Sequence, residues 1–160
     1  AGPPAWLGSI ERIEYAGSIT VGLTGTPAAV LDAWLTVERR MSGSTWGRFI
    51  YTRTMSTEVT PSVTESIERV DGPGQVGALW IPPDGLADLA TGQQIDHDPV
   101  TQTTVLVASV DPGNTVTIFE SGPGEETELV YDVATGLLVA STTTDLVLGT
   151  RVAYEFAEWV

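Results

Sequence analysis

The only histidine lies between two aspartates, Asp96-His97-Asp98, and a general base or catalytic triad in this chain would have to use it. There is no Lys and no Cys to take its place. On a strand Asp96 and Asp98 project to one face and His97 to the other, so the three do not converge as neighbours. No Gly-x-Ser-x-Gly elbow accompanies them. His97 therefore reads as a solvated loop histidine. Asp96 and Asp98 are candidate ligands for a hard cation such as Ca²⁺, although the twelve-residue EF-hand loop is absent. A second acidic group, Glu120, Glu125, Glu126 and Glu128, surrounds the turn Gly122-Pro123-Gly124. Glu120, Glu125 and Glu126 are the remaining Ca²⁺ candidates, against the plainer reading of a solvated acidic turn. A carboxylate pair roughly 5–10 Å apart would suit a glycosidase, but sequence does not display that separation.

Gly72-Pro73-Gly74-Gln75-Val76-Gly77 matches G-x-G-x-x-G letter for letter. A phosphate cradle needs a strand before it and a helix after it. Here Pro73 interrupts the motif and the strand-like Ala78-Leu79-Trp80-Ile81 follows, so a Gly/Pro turn is expected. The five tryptophans, Trp6, Trp34, Trp46, Trp80 and Trp159, offer sugar-stacking or cavity surfaces, and more commonly core or interface packing. Trp6 and Trp159 lie near the two ends. Together with Leu7 and Ile10 they are the candidate interface residues.

Composition narrows the setting. The 160 residues carry 7 Arg, no Lys and 21 acidic residues, for a net charge of −14. Such a surface repels phosphate backbones and anionic lipid, which argues against nucleic-acid partners and peripheral membrane binding. No apolar run approaches the roughly 20 residues of a membrane helix, so membrane insertion is not expected. The absence of Cys excludes disulfides and thiolate chemistry. One Asn, four Gln and two Met resemble the depletion of thermolabile residues in heat-adapted proteins. The start Ala1-Gly2-Pro3-Pro4, without Met, reads as the end left by signal-peptide removal, which places the chain outside the cell or at its surface.

Thr and Val are abundant, and turn residues punctuate the chain every 8–15 residues, the pattern of an all-β protein. Strands are expected at Ser9–Tyr15, Ser18–Leu23, Trp34–Arg40, Trp46–Met55 and Val76–Ile81. The last third reads as a meander of Thr103–Val110, Thr115–Glu120, Glu126–Asp132, Leu137–Thr143 and Thr150–Trp159. Two short helices are expected, one from Pro27 through Trp34 with Thr26 as N-cap, and one over Gly85–Ala90 closed by Gly92. Asp111-Pro112-Gly113-Asn114 is a tight reversal. Asp132–Gly136 is a type I turn with a left-handed glycine, and Asp98–Gln102 copies it with Gln in the glycine place. Ser9-Ile10-Glu11-Arg12-Ile13-Glu14 returns as Ser66-Ile67-Glu68-Arg69-Val70-Asp71, which a strand–strand–helix repeat or chance would explain.

Thr127, Leu129 and Tyr131 alternate with Glu126, Glu128 and Val130, giving one dry and one wet face. Val105–Ala108 and Leu137–Ala140 are instead apolar on both faces. The expected fold is all-β, one domain over residues 1–160. It would be an antiparallel sandwich or strongly curved sheet with one or two short helices, and residues 1–8 form an extended arm. The Leu/Val-rich meander with its short helix loosely resembles secreted half-barrel carriers, through the Tyr131-Asp-x-x-Thr-Gly-Leu-Leu138 hairpin alone.

Two non-catalytic functions follow as expectations. The first is a secreted structural subunit that self-assembles into a filament or surface layer through sheet edges or a donated N-terminal strand. At −14 per subunit, such assembly would strengthen with salt, divalent cations or mild acid. The second is a binding module for carbohydrate or an apolar small molecule. A carboxylate hydrolase ranks behind both, and no cofactor beyond Ca²⁺ is suggested.

Overall fold

The computed structural model describes residues 11–21, 29–42, 48–58, 62–70 and 79–160. Ten strands follow one another: β1 (Arg12–Val21), β2 (Ala29–Ser42), β3 (Arg48–Thr57), β4 (Val63–Val70), β5 (Gln94–Asp98), β6 (Thr103–Asp111), β7 (Thr115–Ser121), β8 (Glu125–Asp132), β9 (Leu138–Asp145) and β10 (Arg151–Trp159). One single-turn helix, α1 (Pro83–Ala87), stands between β4 and β5. All ten strands form one antiparallel sheet in the order β4-β3-β2-β1-β10-β9-β8-β7-β6-β5. Two meanders are thus joined by the β1–β10 pair, and β4 and β5 are the edges. Of the two expected architectures, the curved single sheet is the one adopted. Register shifts interrupt the β1–β10, β2–β3, β5–β6, β6–β7 and β8–β9 ladders. Bulges of this kind increase local twist and bend a sheet toward one face.

The chain between β4 and β5 turns back over that face. Trp80 bridges Leu137, the Ile81 amide donates to the Gly136 carbonyl at 2.9 Å, and the Leu138 amide donates to Leu79 at 2.8 Å. From there α1 lowers Leu86 into a cluster with Ile81, Val105, Val107, Val116, Ile118, Leu129, Tyr131 and Leu138. Trp80 joins a second cluster with Ile13, Tyr15, Ala33, Val37, Leu137 and Tyr154. Adjacent Leu137 and Leu138 enter different clusters, which accounts for a segment that reads as apolar on both sides. Val105–Ala108 has a simpler explanation: Val105 and Val107 are buried while Ala108 is exposed. No polar residue is fully buried among the described residues.

Several sequence expectations are corrected. A helix from Pro27 to Trp34 does not form over Ala29–Trp34, which belongs to β2. Leu31, Ala33, Leu35 and Val37 recur at period two on the concave side, and that burial outweighs the helical leaning of the alanines. Ala16-Gly17 is no turn, since β1 runs straight through it. The expected short strand Val76–Ile81 contributes only the Trp80 bridge, its first three residues lying outside the described set. Of the Ser-Ile-Glu-Arg echo, Ser9 and Ile10 lie outside the described residues, while Arg12 opens β1 and Ser66–Arg69 lies in β4. Polar β5 is an element without a sequence signal.

The turns follow their residues closely. Gly113 and Gly136 have φ of 74° and 77°, and among the described residues Gln102, at 56°, is the positive-φ non-glycine residue. Asp98 accepts the Val100 and Thr101 amides at 2.9 and 3.4 Å. Its carboxyl is held below the ordinary range, first by the Val100 amide and then by the Thr101 hydroxyl and amide. Those bonds favour the ionised form, so the turn is firm above the ordinary aspartate range and loosens as acid protonates Asp98. Gln102→Gly removes the left-handed penalty at the cost of some unfolded-state freedom. It is expected to stabilise by up to about 1 kcal/mol, raising the thermal midpoint by roughly 2–4 °C in a circular-dichroism melt.

Candidate functional site

The turns 99–102, 122–124 and 146–150 all lie at one end of the sheet, here called the upper rim. The turns 112–114 and 133–137, and the β1 start beside the β10 end, lie at the lower rim. Residues 79–89 pack toward that lower side, where Trp80 pairs at the 133–137 turn.

Two neighbouring cross-strand rows on the concave face show the consequence. The lower row runs Ala33, Gly17, Tyr154, Ser141, Leu129, Ile118, Val107 across seven strands. Five of its seven members are buried, with Ala33, Ile118 and Val107 0% exposed, Leu129 5% and Tyr154 9%, while Gly17 and Ser141 are half-buried. The next row up runs Leu31, Ile19, Val152, Thr143, Thr127, Glu120, Val105. Every member of it from Leu31 to Glu120 is only half-buried. The chemistry of this upper row changes in one direction. Three aliphatic side chains give way to two hydroxyls, 3.4 Å apart at Thr127 and Thr143, and then to the Glu120 carboxylate. A cleft of about 400 Å³ opens beside the carboxylate, lined by Thr103, Glu120, Gly122, Pro123, Gly124, Glu125 and Thr127.

Deeper in the concavity, the Tyr15 hydroxyl donates to the Leu138 carbonyl at 2.8 Å, tying β1 to β9 over β10. Burial pushes the Tyr154 phenol above its ordinary value, and the Arg53 charge pulls the other way. Arg53 stands opposite Val37, whose side chain is buried on the concave side, so a cation belongs to this face as well.

The acidic candidates are only partly brought together. Glu120 and Glu125 line one cleft. Glu126 alternates with Glu125 and points to the convex face, opposite Ser121 and Thr144. Asp96 and Asp98 lie on edge strand β5, each accepting a nearby backbone amide. His97 points to the other face, where Nδ1 meets the Thr104 hydroxyl at 3.0 Å. Among the described residues no three His, Cys, Asp or Glu side chains converge on one point. Of the interface candidates, Trp6, Leu7 and Ile10 lie outside the described residues, as do the G-x-G-x-x-G segment and Trp46. Trp159 is 40% exposed at the lower rim and packs edge-on against Phe156 at 5.6 Å. Its strand, β10, is central and paired on both sides, so it offers no free edge. The upper row itself escapes sequence reading, because its members come from seven strands and only register aligns them.

No helix among the described residues is long and apolar enough to cross a membrane. No protein-family model matches the chain, and no curated protein matches it. Among solved structures it is similar to a protein of unknown function from the DUF3598 family of Nostoc punctiforme, with 12% identity and a TM-score of 0.28 over 97% of this chain and 50% of that one. It is also similar to a chain in the structure of MucB in complex with MucA(peri), with 14% identity and a TM-score of 0.32 over 92% of this chain and 49% of that one. The chain spans about half the length of each of these two.

Proposed function

We propose that this chain is an exported, non-catalytic half-barrel binding module that holds an amphiphilic small molecule in the upper half of its concave face. The observation that carries the reading is the upper row. An otherwise apolar concavity stays half open there, and its lining passes from Leu31, Ile19 and Val152 through Thr143 and Thr127 to Glu120. Binding sites commonly combine a large apolar lining with a few placed polar groups. An aliphatic body would lie on β2, β1 and β10, and a hydroxyl or ammonium head would meet β9, β8 and β7.

The test is a titration with the neutral apolar dye N-phenyl-1-naphthylamine, followed by competition with dodecanol, dodecylamine and maltohexaose. Saturable one-to-one enhancement is expected, displaced by both dodecyl compounds and not by the sugar. Ile19→Asp should abolish the enhancement while the far-ultraviolet spectrum is kept. Glu120→Gln should weaken dodecylamine about tenfold, the worth of one charge-assisted contact, and leave dodecanol unchanged. Enhancement that never saturates, or that survives Ile19→Asp, would refute the site.

Self-assembly is supported by one feature at the lower rim. The Glu11 and Arg12 amides both donate to the Val160 carbonyl, which places Glu11 beside exposed Trp159 and Val160. A donated arm in a homopolymer would start from this place. Sedimentation velocity at rising salt separates the readings: a monomer at every salt concentration removes assembly and leaves the binding module standing.

A further inference from the structure

Three upper-rim and lower-rim turns are built to one plan, and one of them departs from it. In Asp98–Gln102 and Asp132–Gly136 the aspartate is followed three residues later by a threonine. Thr135 donates its hydroxyl to Asp132 at 2.7 Å, whereas Thr101 reaches Asp98 through its amide and donates its hydroxyl to Thr103 at 3.0 Å. Asp145–Gly149 has the same frame: Asp145 accepts the Val147 and Leu148 amides, each at 2.9 Å, and Gly149 has φ of 73°. Its fourth residue is Leu148, which cannot make the hydroxyl bond. The turn is also fastened sideways, the Leu146 amide donating to the Gly124 carbonyl at 3.0 Å. This firm frame holds Leu146, Val147 and Leu148 outward at 47%, 82% and 63% exposure. On the same rim Val100, at the tip of the β5–β6 turn, is 89% exposed. Folding has no use for these choices: a threonine would serve the turn better, and consecutive exposed aliphatics invite association.

We propose that the upper rim, through Val100, Leu146, Val147 and Leu148, docks on a lipid surface with ammonium-bearing, zwitterionic headgroups. Charge decides which surface. Glu120 and Glu125 line the cleft beside the apolar tips, and the whole chain carries −14. Anionic bilayers are therefore repelled, while choline or ethanolamine ammonium groups complement the carboxylates and the acyl region receives the tips. The tips occupy turns at one end of the sheet, which suits a broad flat partner. The apolar contacts come from the turns alone, Glu120 is shared with the proposed ligand site, and vesicle binding is read independently of dye binding.

Co-sedimentation with phosphatidylcholine vesicles tests it. Four small aliphatic side chains bind more weakly than one myristoyl chain, so half-binding is expected at about 1 mM lipid or above. Adding 30% phosphatidylglycerol should weaken binding at low salt. The decisive variant is Val147→Ser with Leu148→Thr, which restores the hydroxyl of the sister turns. Its thermal midpoint should equal or exceed that of the parent, while vesicle binding falls at least tenfold. Val147→Phe should strengthen binding. Three results would overturn the proposal: no binding at several millimolar lipid, equal binding by the Ser/Thr variant, or stronger binding to the anionic vesicles. A parent chain that ignores vesicles but forms a dimer dissolved by the Ser/Thr variant would make the rim an interface between copies instead.

Discussion

Alanine at Gly17 is expected to cost at least about 3 kcal/mol and to lower the thermal midpoint by roughly 6–12 °C. Gly17 is in mid-strand on β1, where a Cβ would overlap the Ala153 carbonyl and stand 2.9 Å from the Tyr154 Cα. Both obstacles are backbone of β10, so neither can swing aside as a side chain would. The damage falls on the pair that joins the two meanders, and on Tyr15, Ala33 and Tyr154 in the adjoining cluster. Ala16→Val makes the control, because Ala16 is exposed on the convex face of the same strand and β-branched residues suit strands. A circular-dichroism melt in which Gly17→Ala moves the midpoint by less than about 2 °C would show that the seam has more room than its geometry allows.

Gly136→Ala is the second large effect. Gly136 has φ of 77°, a conformation that costs an alanine roughly 1 kcal/mol, and its Cβ would also press on the Ile81 carbonyl and lie 3.2 Å from the Pro83 Cδ. The same glycine accepts the Ile81 amide through its own carbonyl. One methyl group therefore strikes the segment that seals the lower concavity. A loss of about 3 kcal/mol is expected, with faster hydrogen exchange at the Ile81 and Leu138 amides. Gly113→Ala isolates the strain, since Gly113 has φ of 74° and nothing within 4 Å of the added carbon. It should cost only about 1 kcal/mol, leaving a difference of about 2 kcal/mol for the collision with the segment. Equal losses at the two glycines would mean that Ile81 and Pro83 yield without penalty.

These two glycines also mark how far local reasoning reaches. Gly136 announces itself, because Asp-x-x-Thr-Gly between apolar runs is a turn with a left-handed end. Gly17 misleads, because Ala16-Gly17 between two strand-like runs reads as a reversal. Its real constraint is the approach of β10, more than a hundred residues away. The β2 segment errs for a related reason. Ala29–Trp34 has a helical leaning of a few tenths of a kcal/mol per residue, and the burial of Ala33 and Val37 on a shared face overrides it. Strands β6 to β10 come out within two residues of expectation, since each is bounded by turns of recognisable chemistry.

The candidate sites divide along the same line. Glu120 and Glu125 are adjacent across a tight turn, so their shared cleft follows from nearness in sequence. Glu126 drops out because strand period two sends it to the other face. The upper row could not be anticipated: Leu31 and Glu120 are 89 positions apart in the chain and become members of one row only through five successive strand registers. Leu146-Val147-Leu148 was equally silent, since three apolar residues in a Thr/Val-rich meander look like strand until the Asp145 turn exposes them.

The absence of Lys, the charge of −14, the all-β class, the turns of the last third and the dry face of β8 are properties of the sequence by itself, because they depend on composition or on neighbours within about five residues. Tertiary structure alone decided that two meanders share one curved sheet and that residues 79–89 seal its lower half. It also decided that the remaining opening grades from aliphatic to carboxylate beneath an apolar rim. The physical reason is range. Turn and strand propensities act through bonds and adjacent residues, whereas curvature, register and the exposure of a side chain depend on which distant strand lies beside it.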